Sequence, residues 1–134
     1  MIFDIANIII YNTHREVADL FSNKEDIKVG ARSSGFKISD KYSAWFPSSF
    51  GAKEWKNEFI DDIILEYTNP TSKGEPHIYK DTYRLVFRSD EPGKYYFIGV
   101  YKKISANKKI TVYHRVADKF DSDIITMIRT RNNI

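Results

Sequence analysis

The stretch Asp81–Ile104, DTYRLVFRSDEPGKYYFIGVYKKI, decides the fold class. Tyr83 to Arg88 alternates cleanly, with Tyr83, Leu85 and Phe87 on one face and Arg84, Val86 and Arg88 on the other. Strict alternation over 4–8 residues is the period of a half-buried strand. Ser89-Asp90-Glu91-Pro92-Gly93 then reads as a turn, because proline pre-sets its backbone angle and glycine accepts the angles other residues avoid. The second strand, Tyr95 to Ile104, carries Tyr95, Phe97 and Tyr101 on one face and Tyr96, Ile98, Val100 and Ile104 on the other. A strand apolar on both faces is buried on both, or is buried on one and offers the other to a ligand.

Outward from this hairpin the chain reads as short β elements between two helices. Ile2 to Tyr11 is apolar without a clear period. Thr13-His14-Arg15-Glu16 fits a capping box, with Val17, Ala18, Leu20 and Phe21 as the buried face of a helix of two to three turns. Gly30, Ser33, Ser34 and Gly35 form a loop around Arg32. Phe36–Ser39 and Ser43–Phe46 are short extended pieces, the second stopped by Pro47. Ile63 to Thr68 alternates, with Ile63, Leu65 and Tyr67 against Glu66 and Thr68, and Ile64 out of step. Asn69 to Gly74 is a loop. Ile110 to Val116 is a further strand. Asp121 to Arg131 reads as a closing helix, acidic at its start and basic at its end as the helix dipole favours, with Ile124, Ile125 and Ile128 as its buried stripe. The expected fold is α+β: a small β-barrel of five to six mostly antiparallel strands, flanked by an N-terminal and a C-terminal helix, in one domain over 1–134.

Composition narrows the function. The 134 residues contain no cysteine, which excludes a disulfide scaffold, a thiolate nucleophile and a cysteine-ligated zinc. No apolar run reaches the length of a membrane span, and MIFDIANIII is a poor secretory signal because it lacks a basic start and carries Asp4. The expectation is a cytoplasmic protein with no membrane contact. Lys plus Arg outnumber Asp plus Glu by only 21 to 18, so placement matters more than net charge. From Lys94 to Arg115 the chain holds Lys94, Lys102, Lys103, Lys108, Lys109 and Arg115 and no acidic residue. Such a run is either a solvated hairpin or a surface that faces phosphate.

Catalytic patterns are sparse. His14, His77 and His114 have no metal-ligand spacing, and there is no nucleophile elbow, Walker loop or dinucleotide fingerprint. Glu54-Trp55-Lys56 and Asp26-Ile27-Lys28 match the acidic-x-Lys triplet of metal-dependent nucleases, but neither follows an apolar strand and such triplets are common in Lys- and Glu-rich chains. The constellation with more content lies between Arg32 and Tyr67. Arg32, Ser33 and Ser34 can present a guanidinium, hydroxyls and backbone N–H groups to phosphate. Trp45 and Trp55 are flat walls, and Asn57, Asp61 and Asp62 carry amide and carboxylate groups. An extruded base needs π-faces around its ring and an amide or carboxylate at its Watson–Crick edge. The plain alternative is that the tryptophans are core and Asp61-Asp62 a solvated turn.

HREVADLF (14–21), VGARSSGF (29–36), SAWF (43–46) and the hairpin strands YRLVFRSDEP and KYYFIGVYK resemble the small barrel domain at the C terminus of bacterial helicases that carry a phospholipase-D-type nuclease. DDIILEYTNPTSKGE (61–75) and YYFIGVYK are similar to the YDG-type and EVE-type readers of the PUA-like superfamily. The resemblance runs from His14 to Ala117. It implies a PUA-like barrel that recognises DNA, often modified DNA, in restriction or defence systems, and flips a base into an aromatic pocket. On it, Tyr67 and Thr68 match the family's Tyr-Thr element, Asp61 or Asp62 the acidic residue before it, and Phe97 and Gly99 the late strand. Asn69 stands where the family has glycine. Trp45 and Trp55 as pocket walls come from the residues themselves.

The leading expectation is a DNA-binding, modified-base-reading domain, with Trp45, Trp55, Tyr67, Asp61, Asp62 and Asn57 at the base. Arg32, Ser33, Ser34, Lys102, Lys103, Lys108, Lys109 and Arg115 are expected at phosphates. It needs no cofactor or metal, and the chemistry falls to a nuclease or helicase partner. The alternatives are a Mg²⁺ nuclease built on Asp40 or Asp61 with Glu54 and Lys56, and a small protein-interaction module or inhibitor that uses its aromatic strands. The hairpin itself serves as the buried wall, with Gly99 as its tight point.

Overall fold

A computed structural model describes residues 1–31, 33–50, 56–67 and 77–129. In chain order the elements are β1 (Ile2–Asp4), α1 (His14–Ala18), a 3₁₀ turn (Lys24–Asp26), β2 (Gly35–Lys37), β3 (Tyr42–Trp45), β4 (Lys56–Ile60) and β5 (Ile63–Tyr67). There follow a second 3₁₀ turn (His77–Tyr79), β6 (Tyr83–Glu91), β7 (Lys94–Ala106), β8 (Ile110–Ala117), β9 (Lys119–Asp121) and β10 (Thr126–Ile128). Seven strands form one sheet in the order β2-β3-β6-β7-β8-β5-β4, and β1-β9-β10 form a second. Every pairing is antiparallel except β3 with β6.

The hairpin read first from the sequence is the centre of the large sheet. Its turn is Pro92-Gly93, closed by the Glu91–Lys94 pair, and Gly93 takes a φ of 73°. That is the left-handed backbone that the position after a turn proline requires. The alternation in β6 holds: Leu85 and Phe87 enter one core, Val86 another. In β7 it does not hold. Val86 pairs with Gly99 and Phe87 with Phe97, so Ile98 is an extra residue, a bulge. A bulge shifts the register by one and turns the side chains beyond it to the opposite face. Val100 therefore joins Phe97 on the outer face, and Tyr101 joins Ile98 on the inner one. Gly99 has φ 127°, and a Cβ there would run into the Arg115 side chain, with Cγ at 2.9 Å.

The sheet is open rather than a closed barrel: β2 and β4 are its edges. Twist and the bulges in β6, β7 and β8 curl it strongly. The ring of Trp45 on β3 lies 4.9 Å from that of Tyr113 on β8, although β6 and β7 separate them in the sheet. Asn57 on β4 donates from Nδ2 to the Ser48 carbonyl oxygen, 3.1 Å away and just past β3, so the β4 edge returns to the segment that follows β3.

The flanking helices are corrected. At the N terminus, Thr13 accepts a hydrogen bond from the Glu16 N–H at 3.0 Å, as a cap should. Glu16 reaches back one residue further than a capping box, to the Asn12 N–H at 2.8 Å. The helix stops after Ala18, yet Val17, Ala18 and Phe21 are buried as expected. At the C terminus there is no helix over 121–129. Asp121 accepts from the N–H groups of Asp123 and Ile124 and folds the chain into a turn, so β10 returns along β9. A short acidic side chain that captures local N–H groups competes with the helix ladder. The expected stripe is not formed: Ile124 is 69% exposed.

The outer face of the large sheet packs against α1 and the small sheet. Its core is almost pure hydrocarbon: Phe3, Phe21, Phe36, Phe46, Phe87, Phe97 and Phe120 with Val17, Leu85 and Val100. The rings meet edge to face or tilted, for example Phe3 and Phe87 at 5.4 Å and 84°, the arrangement ring quadrupoles favour.

Candidate nucleic-acid interface

The inner, concave face of the curled sheet has a different chemistry. Ladder pairing places Ser43 and Trp45 (β3), Arg84, Val86 and Arg88 (β6), Tyr96, Ile98 and Tyr101 (β7), Tyr113 and Arg115 (β8), Ile64 and Glu66 (β5) and Asn57 and Phe59 (β4) on it. At its middle the Arg84 guanidinium lies 4.9 Å from the Trp45 ring, 4.2 Å from Tyr79 and 4.5 Å from Tyr113. Arg84 is 3% exposed, so a cation sits deep in a box of three rings. A guanidinium tolerates this because it is weakly hydrated and stacks on π-faces.

Polar groups edge the box. Tyr113 donates to Glu66 Oε1 at 3.0 Å, and the Tyr79 hydroxyl meets Ser34 Oγ at 2.7 Å. Ser43 and Thr82 share a buried hydrogen bond at 2.8 Å. Asn57 stands opposite Glu66 in register, and its Oδ1 is buried without a partner among the described residues. A strip thus runs from Asn57 through Glu66, Tyr113 and Arg84 to Trp45, Tyr79 and Ser34. Gly35 is required beside it, since a Cβ would collide with the Ala44 carbonyl and the Tyr79 hydroxyl.

Beyond the strip, Arg88 stacks on Phe59 at 4.2 Å and donates from Nε to Asp90 at 2.7 Å. Asp90 also accepts from Ser49 at 2.6 Å and Tyr96 at 2.7 Å. Burial raises the Asp90 carboxyl, but hydrogen bonds from Ser49, Tyr96 and Arg88 outweigh it and hold the group below its usual range. Burial and the bond to Asp90 push the Tyr96 hydroxyl up to about 12. The network ties the β6–β7 hairpin to the segment after β3.

The residues singled out from the sequence fall in three places. Trp45 and Asn57 are on the strip. Tyr67, Asp61 and Asp62 are not: Tyr67 is on the outer side of β5, where burial and then Glu58 raise its hydroxyl. Asp61 is the exposed first residue of the β4–β5 turn, with φ 51°. Asp62 accepts from His114 Nε2 at 2.9 Å, on the face opposite Tyr113. Trp55, Arg32, Glu54 and the Thr68–Asn69 element lie outside the described residues. Among the phosphate candidates, Ser34 caps Tyr79 while Ser33 bonds the Gly35 carbonyl. Lys103 is on the inner face, Lys102 on the outer, and Lys108 and Lys109 are exposed at the β7–β8 tip. Arg115 lies beside Gly99 and pairs with Asp118 at 3.2 Å.

Sequence reasoning missed Arg84, Tyr79, Tyr113 and Glu66. A signal existed for Arg84: an arginine inside an alternating central strand, on the face opposite Leu85 and Phe87. For Glu66 the alternation misled, because Ile63, Leu65 and Tyr67 form the outer side of β5 and Ile64, fully buried, marks the inner one. Among the described residues no group of three or more His, Asp or Glu is placed to hold a metal, and no helix is long and apolar enough to cross a membrane.

The curled open sheet thus carries an aromatic, hydrogen-bonding concave face. The model of the SRA family, the SET and RING associated domain, matches residues 2–122, and the chain belongs to that family. It is therefore a DNA-binding domain of the kind that reads modified bases. Among solved structures it is similar to "The 5-Hydroxymethylcytosine-Specific Restriction Enzyme AbaSI", with a TM-score of 0.72 at 20% identity over 91% of this chain and 42% of that one. The likeness shows the shared fold, and this chain spans less than half of that protein. No curated protein matches the chain by sequence.

Proposed function

We propose that the concave strip receives a modified cytosine turned out of DNA. The observation that carries this is the meeting of three aromatic rings, a buried guanidinium and a carboxylate on one face. Aromatic faces sandwich an extruded ring, and fixed polar groups read its edge. Cytosine presents acceptors at O2 and N3 and a donor at N4. Arg84 carries N–H donors, Glu66 accepts from an amino group as carboxylates do with cytosine N4, and Asn57 Oδ1, without a partner among the described residues, is a second acceptor. An unsatisfied buried acceptor costs about 1–3 kcal/mol, so its retention fits a ligand contact.

The setting we infer is cytoplasmic restriction or defence, with DNA cleavage assigned to a nuclease partner. Support comes from the restriction enzyme that shares the fold, more than half of which lies outside the matched region.

The test is a polarisation titration with cytosine, 5-methylcytosine and 5-hydroxymethylcytosine duplexes identical in sequence. The wild type binds a modified duplex at least tenfold tighter than the plain one. Trp45→Phe, which keeps an aromatic ring, and Glu66→Gln, which keeps the side chain's size, lose that preference and keep the weaker binding common to all three. Equal affinity of the wild type for all duplexes sinks the base-reading assignment.

A further inference from the structure

We propose that Lys41, Lys102 and Arg129 form a phosphate seat around Tyr83, on the face opposite the aromatic strip, and that it grips the DNA backbone. It rests on the DNA-binding reading above. Lys102 Nζ lies 4.6 Å from the Tyr83 ring centroid and Lys41 Nζ 5.7 Å from it. Arg129 Nη2 donates to the Tyr83 hydroxyl at 3.4 Å. Three cations from distant parts of the chain, the turn before β3, the middle of β7 and the end of β10, thus converge on one ring. The fold builds this convergence: β3 and β6 pair Tyr42 with Tyr83, and the Met127 N–H donates to the Tyr42 hydroxyl, which brings the end of β10 alongside.

No carboxylate neutralises the group among the described residues. The nearest acidic residues in sequence are Asp40, which pairs with Lys37 at 2.9 Å, and Asp81, which offers Lys102 its backbone carbonyl at 3.2 Å. At several other surface positions the cation is paired. Arg15, Arg88, Lys94, Arg115 and Lys119 each have a carboxylate partner, in Asp19, Asp90, Glu91, Asp118 and Asp4. Like charges gathered on one ring repel, and the ring's negative face offsets only part of that. An oxygen-rich anion among them gives every cation a charge-assisted bond.

The seat fits a phosphodiester in particular because of its neighbours. From Lys102, β7 runs on to the β7–β8 tip, where Lys108 and Lys109 are exposed. Seat and tip lie toward the same end of the central strands, as a run of regularly spaced phosphates needs.

The experiment is a salt series of DNA titrations with the triple variant Lys41→Gln/Lys102→Gln/Arg129→Gln, its folding checked by thermal melt. The expected result is at least a tenfold loss of affinity at low salt, equal for plain and modified duplexes. The log–log salt slope falls by about one for each phosphate that is no longer neutralised. A control with Lys24→Gln/Lys28→Gln, exposed lysines near α1, keeps the wild-type slope, and Lys102→Arg keeps most of the affinity. A folded triple variant with the wild-type slope, or a control that loses as much, overturns the seat and leaves base reading untouched. A wild type that binds DNA without base preference but loses slope in the triple variant supports the seat and removes the base reading instead. A wild type with no DNA binding overturns both.

Discussion

The two faces of the large sheet are both aromatic, yet they are built for different ends. The outer face collects phenylalanines packed mainly against one another and against aliphatic groups, as Phe87 is with Phe3, Phe46 and Phe97. The inner face collects tyrosines and a tryptophan around a cation, with hydroxyls committed to a carboxylate and a serine. Hydrocarbon burial stabilises without direction, whereas buried polar groups are costly unless every one is matched. The contrast separates a face built for stability from one whose polar groups suit the base reading proposed above.

The largest expected effect breaks the outer face. Phe87→Ala should destabilise by about 3–5 kcal/mol, read as a lower urea midpoint, because the residue is fully buried among rings that cannot collapse onto the gap. The protein that remains folded should keep its preference for modified DNA. A loss of preference without loss of stability would erase the distinction between the faces.

Next in size is the inner face. Glu66→Gln should cost roughly 1–3 kcal/mol of discrimination between modified and plain duplexes, with a small change in melting temperature. Gly99→Ala lies on the border of the two faces. Its left-handed φ and the close approach of Arg115 predict a stability loss of about 1–3 kcal/mol by denaturant melt, with Arg115 displaced on the inner side.

The smallest effect concerns pH. His14 stacks on Phe46 at 3.9 Å and 16° at the margin of the outer core. Burial lowers its pKa from the ordinary 6.5. The unfolded chain then takes up the proton first as pH falls. Stability from this group is therefore complete above 6.5 and declines below it toward the folded value. Urea midpoints at pH 7.5 and 5.5 should differ less in His14→Phe, which keeps the stack and removes the charge. An unchanged difference would show that His14 does not contribute.

The central hairpin was legible because its information is local. Alternation in Tyr83–Arg88 and the Pro92-Gly93 turn are properties of neighbouring residues. The N-cap at Thr13 was legible for the same reason. The C-terminal helix was misread because Ile124, Ile125 and Ile128 have helical spacing. The winning interactions were the Asp121 turn and the edge offered by β9. In β7 the faces were misassigned beyond Phe97, since one inserted residue reverses the parity and nothing in FIGVY announces it except a glycine.

The candidate site was legible only in outline. Aromatic and basic residues, a PUA-like resemblance and a DNA partner could all be argued from the chain alone. Its members could not. Trp45 and Asn57 are close in the chain but far apart in the order of strands, and they come together because the sheet curls until β4 reaches the segment after β3.

By itself the sequence determined which segments are strands at the centre of the molecule, where they turn, and that the chain belongs among DNA readers. Those properties depend on patterns within a few residues or on the match of whole motifs. Only the tertiary structure decided which face each side chain takes, that Glu66 rather than Asp61 or Asp62 stands by the rings, and that Lys41, Lys102 and Arg129 meet at Tyr83. Bulges and curl act between strands, and their effect on a side chain's surroundings accumulates across the sheet.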